Sequence, residues 1–338
     1  RISSIPTVHG EKIVMRISSK LNLTRDIKEL GLNLDEMSML QHMLAKPYGI
    51  LFVTGPTGSG KSTLINALIG DKIAIVSDKA QTTRKRIICV YTDEAKQIVF
   101  MDTPGVHKPK HKLGEFMVDA AIESLKETEA VLFVVAGNEK RGPGDNFIIE
   151  QLKRVKVPVF LVVNKIDTLQ KEQVLEAIVS YQDAYPFAGV IPISAKNKEN
   201  LSELLNVLGK HLPEGPQYFP EDMITDQPER LIISDIVREK ILLSTRDEIP
   251  HAIAVDVDEM KTRDDGTTYI RATIYCERDS QKGIIIGNKG ALLRKIGAEA
   301  RMDIQKLLAT KVYLDLWVKV KKDWRNKSGM LSELGYKK

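Results

Sequence analysis

Cysteine is almost absent from this chain of 338 residues: Cys89 and Cys276 lie far apart, and neither has metal-ligand spacing around it. A disulfide framework and a thiol chemistry are not expected, and a reduced, cytoplasmic compartment is. Long apolar runs are missing as well. No stretch approaches the roughly 18 residues of a membrane span, and the N-terminus lacks the pattern of a signal peptide. Internal repeats and low-complexity segments are absent too. The composition is that of a globular protein, 43% hydrophobic and 28% charged, in a chain too long for one typical core. Two domains are expected.

The net charge of +5 conceals an asymmetry. Residues 261–338 carry 18 Lys/Arg against 9 Asp/Glu, whereas residues 1–260 carry 32 against 36. A basic tail on a mildly acidic body points to a polyanion partner for the tail alone, although a solvated charged face would read the same.

Residues 1–48 begin with two short alternating runs around Val8-His9-Gly10-Glu11, which predict strand–turn–strand. A helical pattern follows on Leu34, Met37, Leu40 and Met43 and must stop before Pro47. Residues 49–215 then alternate amphipathic helices with short, β-branched strands at 50–53, 97–101, 130–135, 157–163 and 190–193. Such runs fit a mostly parallel sheet covered by helices on both faces, with its ligands at the carboxyl ends of the strands. A Pro/Gly-rich joint introduces a linker at 216–226. The α+β unit at 227–338 reads helix (229–243), strand (251–258), strand (268–277), helix, helix, strand (311–321).

Gly55-Pro-Thr-Gly-Ser-Gly-Lys61-Ser62 lies between a strand and a helix, as a phosphate-cradling loop must. The backbone of Gly55, Gly58, Ser59, Gly60 and Thr63 would wrap the phosphates. Lys61 would neutralise them, and the Ser62 hydroxyl would ligate Mg²⁺. Asp102-Thr-Pro-Gly105 ends a second strand, so that Asp102 can hold a metal-bound water and Gly105 can offer its N–H to a γ-phosphate. Asn164-Lys165-Ile-Asp167 ends a third. The Asp167 carboxylate can accept from both the ring N–H and the exocyclic amine of guanine, a pair that adenine lacks. Ser194-Ala195-Lys196 ends the last strand and would support the base from its other side. Four boxes in order, each at a strand end, predict a guanine-nucleotide site.

Between the first two boxes, Gln81-Thr82-Thr83-Arg84 offers a threonine that could close on Mg²⁺ only when the γ-phosphate is present. Thr83 is favoured, with Thr82 close behind. Lys61, Thr83 and Gly105 are the candidate catalytic residues, and Ser62, Thr83 and Asp102 the candidate metal ligands. The residues after the Asp102–Gly105 box, Val106 and His107, include no glutamine to orient a water. Slow hydrolysis is therefore expected, with His107 read as a solvated loop residue or a base.

In the basic tail, Gly287-Asn288-Lys289-Gly290 separates two helical patterns. This is the Gly-x-x-Gly loop that clamps a nucleic-acid backbone in KH folds. Trp317 and Trp324 could stack bases, although Trp317 alternates with Leu314, Leu316 and Val318 on a strand and could equally serve core packing or an interface.

From Gly60 onward the chain resembles the Era family of GTPases with a C-terminal type II KH domain. The resemblance rests on Ile73-Ala-Ile-Val-Ser-Asp-Lys-Ala-Gln-Thr-Thr-Arg84, Asp102-Thr-Pro-Gly-Val-His-Lys-Pro-Lys-His-Lys-Leu-Gly114, Glu277-Arg-Asp-Ser-Gln-Lys-Gly283 and Trp317-Val-Lys-Val-Lys-Lys-Asp-Trp-Arg325. It implies GTP hydrolysis and binding near the 3′ end of small-subunit ribosomal RNA in the 30S particle. It further implies a role in maturing that subunit, GTP-gated release, and loose association with the inner face of the cell membrane. Era-like GTPases carry asparagine, a ligand of an activating K⁺, where this chain has Gly58, so a potassium response is put in question.

Residues 1–62 resemble instead the ATPases of type II secretion and type IV pilus assembly, through Ile5-Pro-Thr-Val-His-Gly-Glu-Lys-Ile-Val-Met-Arg16 and the run Pro47 to Ser62. The acidic and histidine boxes that follow the phosphate loop in those ATPases are absent. The two likenesses meet inside that loop, which reads as a chimera. A secretion-type ATPase, or a GTP-dependent RNA-binding module that has lost hydrolysis, are the competing expectations.

Overall fold

The computed structural model describes residues 2–7, 10–15, 37, 47–77, 79, 82–104, 111–117, 128–215 and 217–336. The chain divides into two compact units, residues 1–46 with 214–216, and residues 47–213 with 217–338. In the first, β1 (Ile2–Thr7) and β2 (Gly10–Met15) pair antiparallel, with Ile2 opposite Met15. Met37 is helical. The rest of the helix expected through Leu34, Leu40 and Met43 lies outside the described residues.

The second unit opens with β3 (Tyr48–Thr54) and α1 (Lys61–Ile69), then β4 (Ile87–Thr92), β5 (Gln97–Asp102) and β6 (Ala130–Ala136). It continues through α2 (Pro143–Leu152), β7 (Val159–Asn164), α3 (Lys171–Gln182), β8 (Gly189–Pro192) and α4 (Leu201–Gly209). Six strands form one sheet in the order β4-β5-β3-β6-β7-β8, parallel except for β4 at the edge. Alternate residues of β6 feed two different cores. Ala130, Leu132 and Val134 pack with Leu64 and Leu204 on one face, and Val131, Phe133 and Val135 with Ile148 and Tyr181 on the other. Burial on both faces is why the strands read as continuous apolar runs. β4 is a sixth strand beside the five expected, and β7 starts at Val159 because Pro158 has no N–H for the ladder.

The remainder of the second unit is α5 (Glu229–Ser244), α6 (Ile249–Ala252), β9 (Ala254–Thr262), β10 (Thr268–Cys276), α7 (Asp279–Ile286), α8 (Ala291–Leu308), β11 (Val312–Val320) and α9 (Ser328–Glu333). The sheet order is β11-β10-β9, with β10 parallel to β11 and antiparallel to β9. Its helices α5, α7 and α8 cover a core of Ile233, Val237, Ile270, Ile274, Ile285, Ile296 and Ile304. The strand expected from residue 251 begins at Ala254 instead. Pro250, with its preset φ, starts the single turn of α6 just ahead of it.

One further expectation gains detail and one is corrected. The stretch predicted as a linker, 216–226, is bonded along the sheet edge over its described residues. Val90 N donates to Ile224 O (2.9 Å), Thr225 Oγ1 to Ile88 O (2.6 Å), and the buried Gln97 side chain joins the backbones of Tyr218 and Phe219. Trp324 cannot stack a base. It is fully buried, donates Nε1–H to Ala252 O (2.8 Å), and packs with Leu113, Met117 and Leu331. Trp317, by contrast, is 53% exposed. Among the described residues no helix is long and apolar enough to cross a membrane.

Trp324 thus joins the C-terminal segment to residues 111–117, and removing it should be costly. Trp324→Ala is expected to lower unfolding stability by about 3–5 kcal/mol, read as a shift of the urea midpoint; an unshifted midpoint would mean that the indole is not core.

Candidate nucleotide and nucleic-acid sites

The parallel strands end on one side of the sheet, and the predicted boxes meet there. After Thr54 the chain curls through 55–60 into α1. Gly60 has φ +87°, and a Cβ there would meet Asn164 Nδ2 at 2.3 Å, so only glycine fits. Lys61 is buried, and its ammonium donates to Gly55 O (2.8 Å) and Pro56 O (2.9 Å), with Ser59 Oγ 3.5 Å away. Burial pulls its pKa down to about 8, against the opposing charge of Asp102. A cavity of about 420 Å³ opens over this loop, walled by Gly58, Gly60, Ser62, Thr63, Thr83 and Lys165.

β5 delivers Asp102 into full burial beside α1. Its Oδ2 accepts from Ser62 Oγ (2.8 Å) and Thr83 Oγ1 (3.2 Å), and the two hydroxyls lie 3.2 Å apart. Burial raises the Asp102 pKa, opposed by Lys61 and the two hydroxyls. Its Oδ1 is buried with no hydrogen-bond partner. Three converging hard oxygens, one of them a carboxylate with an unsatisfied atom, suit Mg²⁺ and not a soft metal. Thr82 turns elsewhere, donating to Lys79 O (2.6 Å), so Thr83 is the threonine brought to Asp102. Gly105, Val106 and His107 lie outside the described residues.

β7 ends at Asn164, whose Nδ2 donates to Ser59 O (2.9 Å) while Oδ1 accepts from Lys165 N (2.8 Å) and Ala195 N (3.0 Å). Asp167 Oδ1 accepts from Ser194 Oγ (2.6 Å), which orients the carboxylate. Lys165 has φ +68°, lies 3.4 Å from Glu139 Oε1, and Lys196 is exposed. Asn164 and Ala195 therefore brace loops to one another, while Asp167 is held by the Ser194 hydroxyl.

In the smaller sheet, Gly287–Gly290 forms the turn between α7 and α8, with Asn288 opening a single 3-10 turn and Lys289 at φ +48°. Arg294 Nη2 donates to Lys289 O (3.1 Å) and steadies it. Beside the turn a groove of about 460 Å³ runs between α8 and β11, lined by Arg294, Gly297, Ala298, Arg301, Tyr313 and Leu316 among others. These residues were not singled out from sequence. Arg294, Gly297, Ala298 and Arg301 do follow the i, i+3, i+4, i+7 spacing of one helix face, and the small pair leaves room for a chain to approach.

Residues 50–165 match the family described as 50S ribosome-binding GTPase, and residues 248–325 match the KH domain family. The chain is 54% identical over 289 residues to the GTPase Era of Alkaliphilus metalliredigens (strain QYMF), covering 85% of this chain and 98% of that one. The chain belongs to the Era family. Two Era crystal structures superpose with a TM-score of 0.83 at 41% identity, covering 86% of this chain and 99% of theirs. One is Aquifex aeolicus Era bound to GDP·AlF4⁻; the other is Era in complex with MgGDPNP and nucleotides 1506–1542 of 16S ribosomal RNA.

If Asp167 reads guanine, Asp167→Asn replaces an acceptor by a donor. Two charged hydrogen bonds at about 1.5–3 kcal/mol each are then lost. Preference should move from GTP to xanthosine triphosphate in a competition titration, and unchanged GTP affinity would remove the assignment.

Proposed function

We propose that this Era-family chain is a slowly hydrolysing GTP switch that binds small-subunit ribosomal RNA through its KH domain and acts in assembly of the 30S particle. The observation that carries the reading is the convergence of Ser62, Thr83 and Asp102 beside the Lys61 loop, with Asp167 oriented by Ser194 for guanine. The backbone of Gly55, Gly58, Ser59, Gly60, Lys61, Ser62 and Thr63 wraps the phosphates, and Lys61 leaves its loop carbonyls for the outer phosphate oxygens. Ser62, Thr83 and Asp102 would hold Mg²⁺, which would neutralise phosphate charge when bound. Asn164, Lys165 and Ala195 fix the base loops, and Lys196 covers the base from the solvent side. Gly105 is assigned from the sequence as the N–H donor to the γ-phosphate. No glutamine follows it, so a water is oriented by backbone and bound cations alone, and turnover is slow.

Gly287, Asn288, Lys289 and Gly290 clamp the RNA backbone, and the groove with Arg294, Arg301 and Tyr313 continues the track. The relative solved with 16S ribosomal RNA supports this choice of RNA. We assign residues 49–215 to the nucleotide domain, 216–226 to its connection and 227–338 to the RNA domain. The working place is the cytoplasm; peripheral membrane association rests on the family resemblance alone. Residues 1–48 are assigned to a chimeric origin, with 1–62 resembling a secretion-type ATPase. Its support is the sequence likeness alone.

Two measurements test this reading. Asn288→Asp with Lys289→Asp places like charge against phosphates, and RNA affinity should fall and lose salt dependence while GTP binding persists. Equal RNA affinity and salt slope would make the loop a plain turn. Gly58 has φ +85° and supplies no side-chain oxygen, so hydrolysis should run at similar rates in K⁺ and Na⁺ buffers. Gly58→Asn should bring a potassium response, since asparagine tolerates a left-handed backbone and an added Cβ there meets only Glu139 Oε1, at 3.9 Å. Strong potassium stimulation of the unaltered chain in single-turnover assays would refute this.

A further inference from the structure

The segment that carries Thr83 is held at both of its described ends by the RNA-binding half of the chain. At one end, Val76 N donates to Glu239 Oε1 (2.8 Å) and Lys72 Nζ to Glu239 Oε2 (2.5 Å), Glu239 being buried on α5. At the other, Arg238 of α5 donates from Nη2 to Thr82 O, while Asp235 holds its guanidinium at 3.0 Å. Arg84 makes the larger contact. It is 2% exposed, and its guanidinium donates to Ile253 O (2.6 Å), His251 O (3.2 Å) and Pro250 O (3.3 Å), with Trp324 5.8 Å away.

Thr83 and Arg84 are consecutive, yet their side chains bond to opposite partners. Thr83 reaches Asp102 and Ser62 in the nucleotide domain, and Arg84 reaches three carbonyls around α6. A buried cation on three acceptors has little freedom to slide, because each carbonyl left behind would lose its partner in a dry site. The backbone between the two side chains is one peptide unit long. Movement of α6 therefore moves Thr83 relative to Asp102.

We infer that Arg84 is a positioning residue for nucleotide binding and hydrolysis: through it the RNA-binding domain sets Thr83 against Asp102 and Ser62. Arg238 on Thr82 is a second hold of the same kind. Coupling is reciprocal, so whatever shifts α6 changes GTP affinity, and GTP changes the ease of that shift. The inference rests on the GTPase reading, and its occupant is the γ-phosphate state of the same site.

The test uses the full chain with Arg84→Ala, Arg84→Lys and Arg238→Gln, each alone and combined with Thr83→Ala, after thermal melts confirm folding. Affinities for fluorescent GDP and for a non-hydrolysable GTP analogue are measured, with single-turnover hydrolysis over a Mg²⁺ series. Arg84→Ala should leave GDP affinity within about twofold of the parent, lower analogue affinity by roughly tenfold and raise the Mg²⁺ midpoint for hydrolysis. Arg84→Lys, which keeps the charge but not the fork, should recover part of the loss. In the Thr83→Ala background the same change should have almost no further effect, since the residue it acts through is gone. Equal losses of GDP and analogue affinity would reduce Arg84 to a structural role, and losses that add fully to those of Thr83→Ala would overturn the inference. If Arg84→Ala fails to fold, Arg238→Gln decides: it leaves the nucleotide domain unaltered and must show the same GTP-selective loss, and parent-like behaviour refutes the idea. A parent chain that does not hydrolyse GTP would instead sink the function itself.

Discussion

Asn164 holds three loops at one point: its carboxamide donates to Ser59 O in the phosphate loop and accepts from Lys165 N and Ala195 N in the two base loops. The side chain is 2% exposed, so none of these bonds can be replaced by solvent without rearrangement. An unsatisfied buried polar group costs about 1–3 kcal/mol, and here each bond also fixes the position of a different loop. The same carboxamide excludes a side chain at position 60, which is how the phosphate loop comes to lie close against it. β6 separates β3 from β7 in the sheet, and this carboxamide links the loops that leave their ends.

The sheet makes that junction available. β3, β6 and β7 are adjacent and parallel, so Thr54, Ala136 and Asn164 emerge together, and β5 adds Asp102 beside them. Each strand is dry on both faces, and polar side chains can be spent only where the strand ends. Chemistry therefore collects at one rim of the sheet. Polar interactions on the opposite side of the Thr83 segment are of another kind. Arg84, Arg238 and Glu239 are buried charges that bond to backbone groups across two domains, and such bonds define geometry more than they add stability.

The nucleotide boxes were legible because each is a local string with its own strand in front of it: β-branched run, then glycines or carboxylate. The Gly-x-x-Gly turn was legible for the same reason. The edge strand β4 was not, although Ile87-Ile-Cys-Val-Tyr-Thr92 is rich in β-branched residues. No functional box marks its end, and its pairing with β5 is antiparallel. Trp324 was read as a base stacker because a lone aromatic among lysines carries no period that would place it in a core. Its burial comes from Leu113 and Met117, more than 200 positions earlier in the chain.

Sequence alone determined the order of the strands and helices other than β4 and α6, the place of each nucleotide box at a strand end, and the basic C-terminal part. All of these follow from residue type within a short window. Tertiary structure placed Thr83 and not Thr82 beside Asp102, bonded the expected linker to the sheet edge, and opened the groove with Arg294 and Arg301 beside the Gly-x-x-Gly turn. It also turned Arg84 away from the nucleotide and into the RNA-binding domain. The physical reason is common to these cases. A hydrogen bond or a groove needs two surfaces, and here the second surface comes from a part of the chain that no local pattern names.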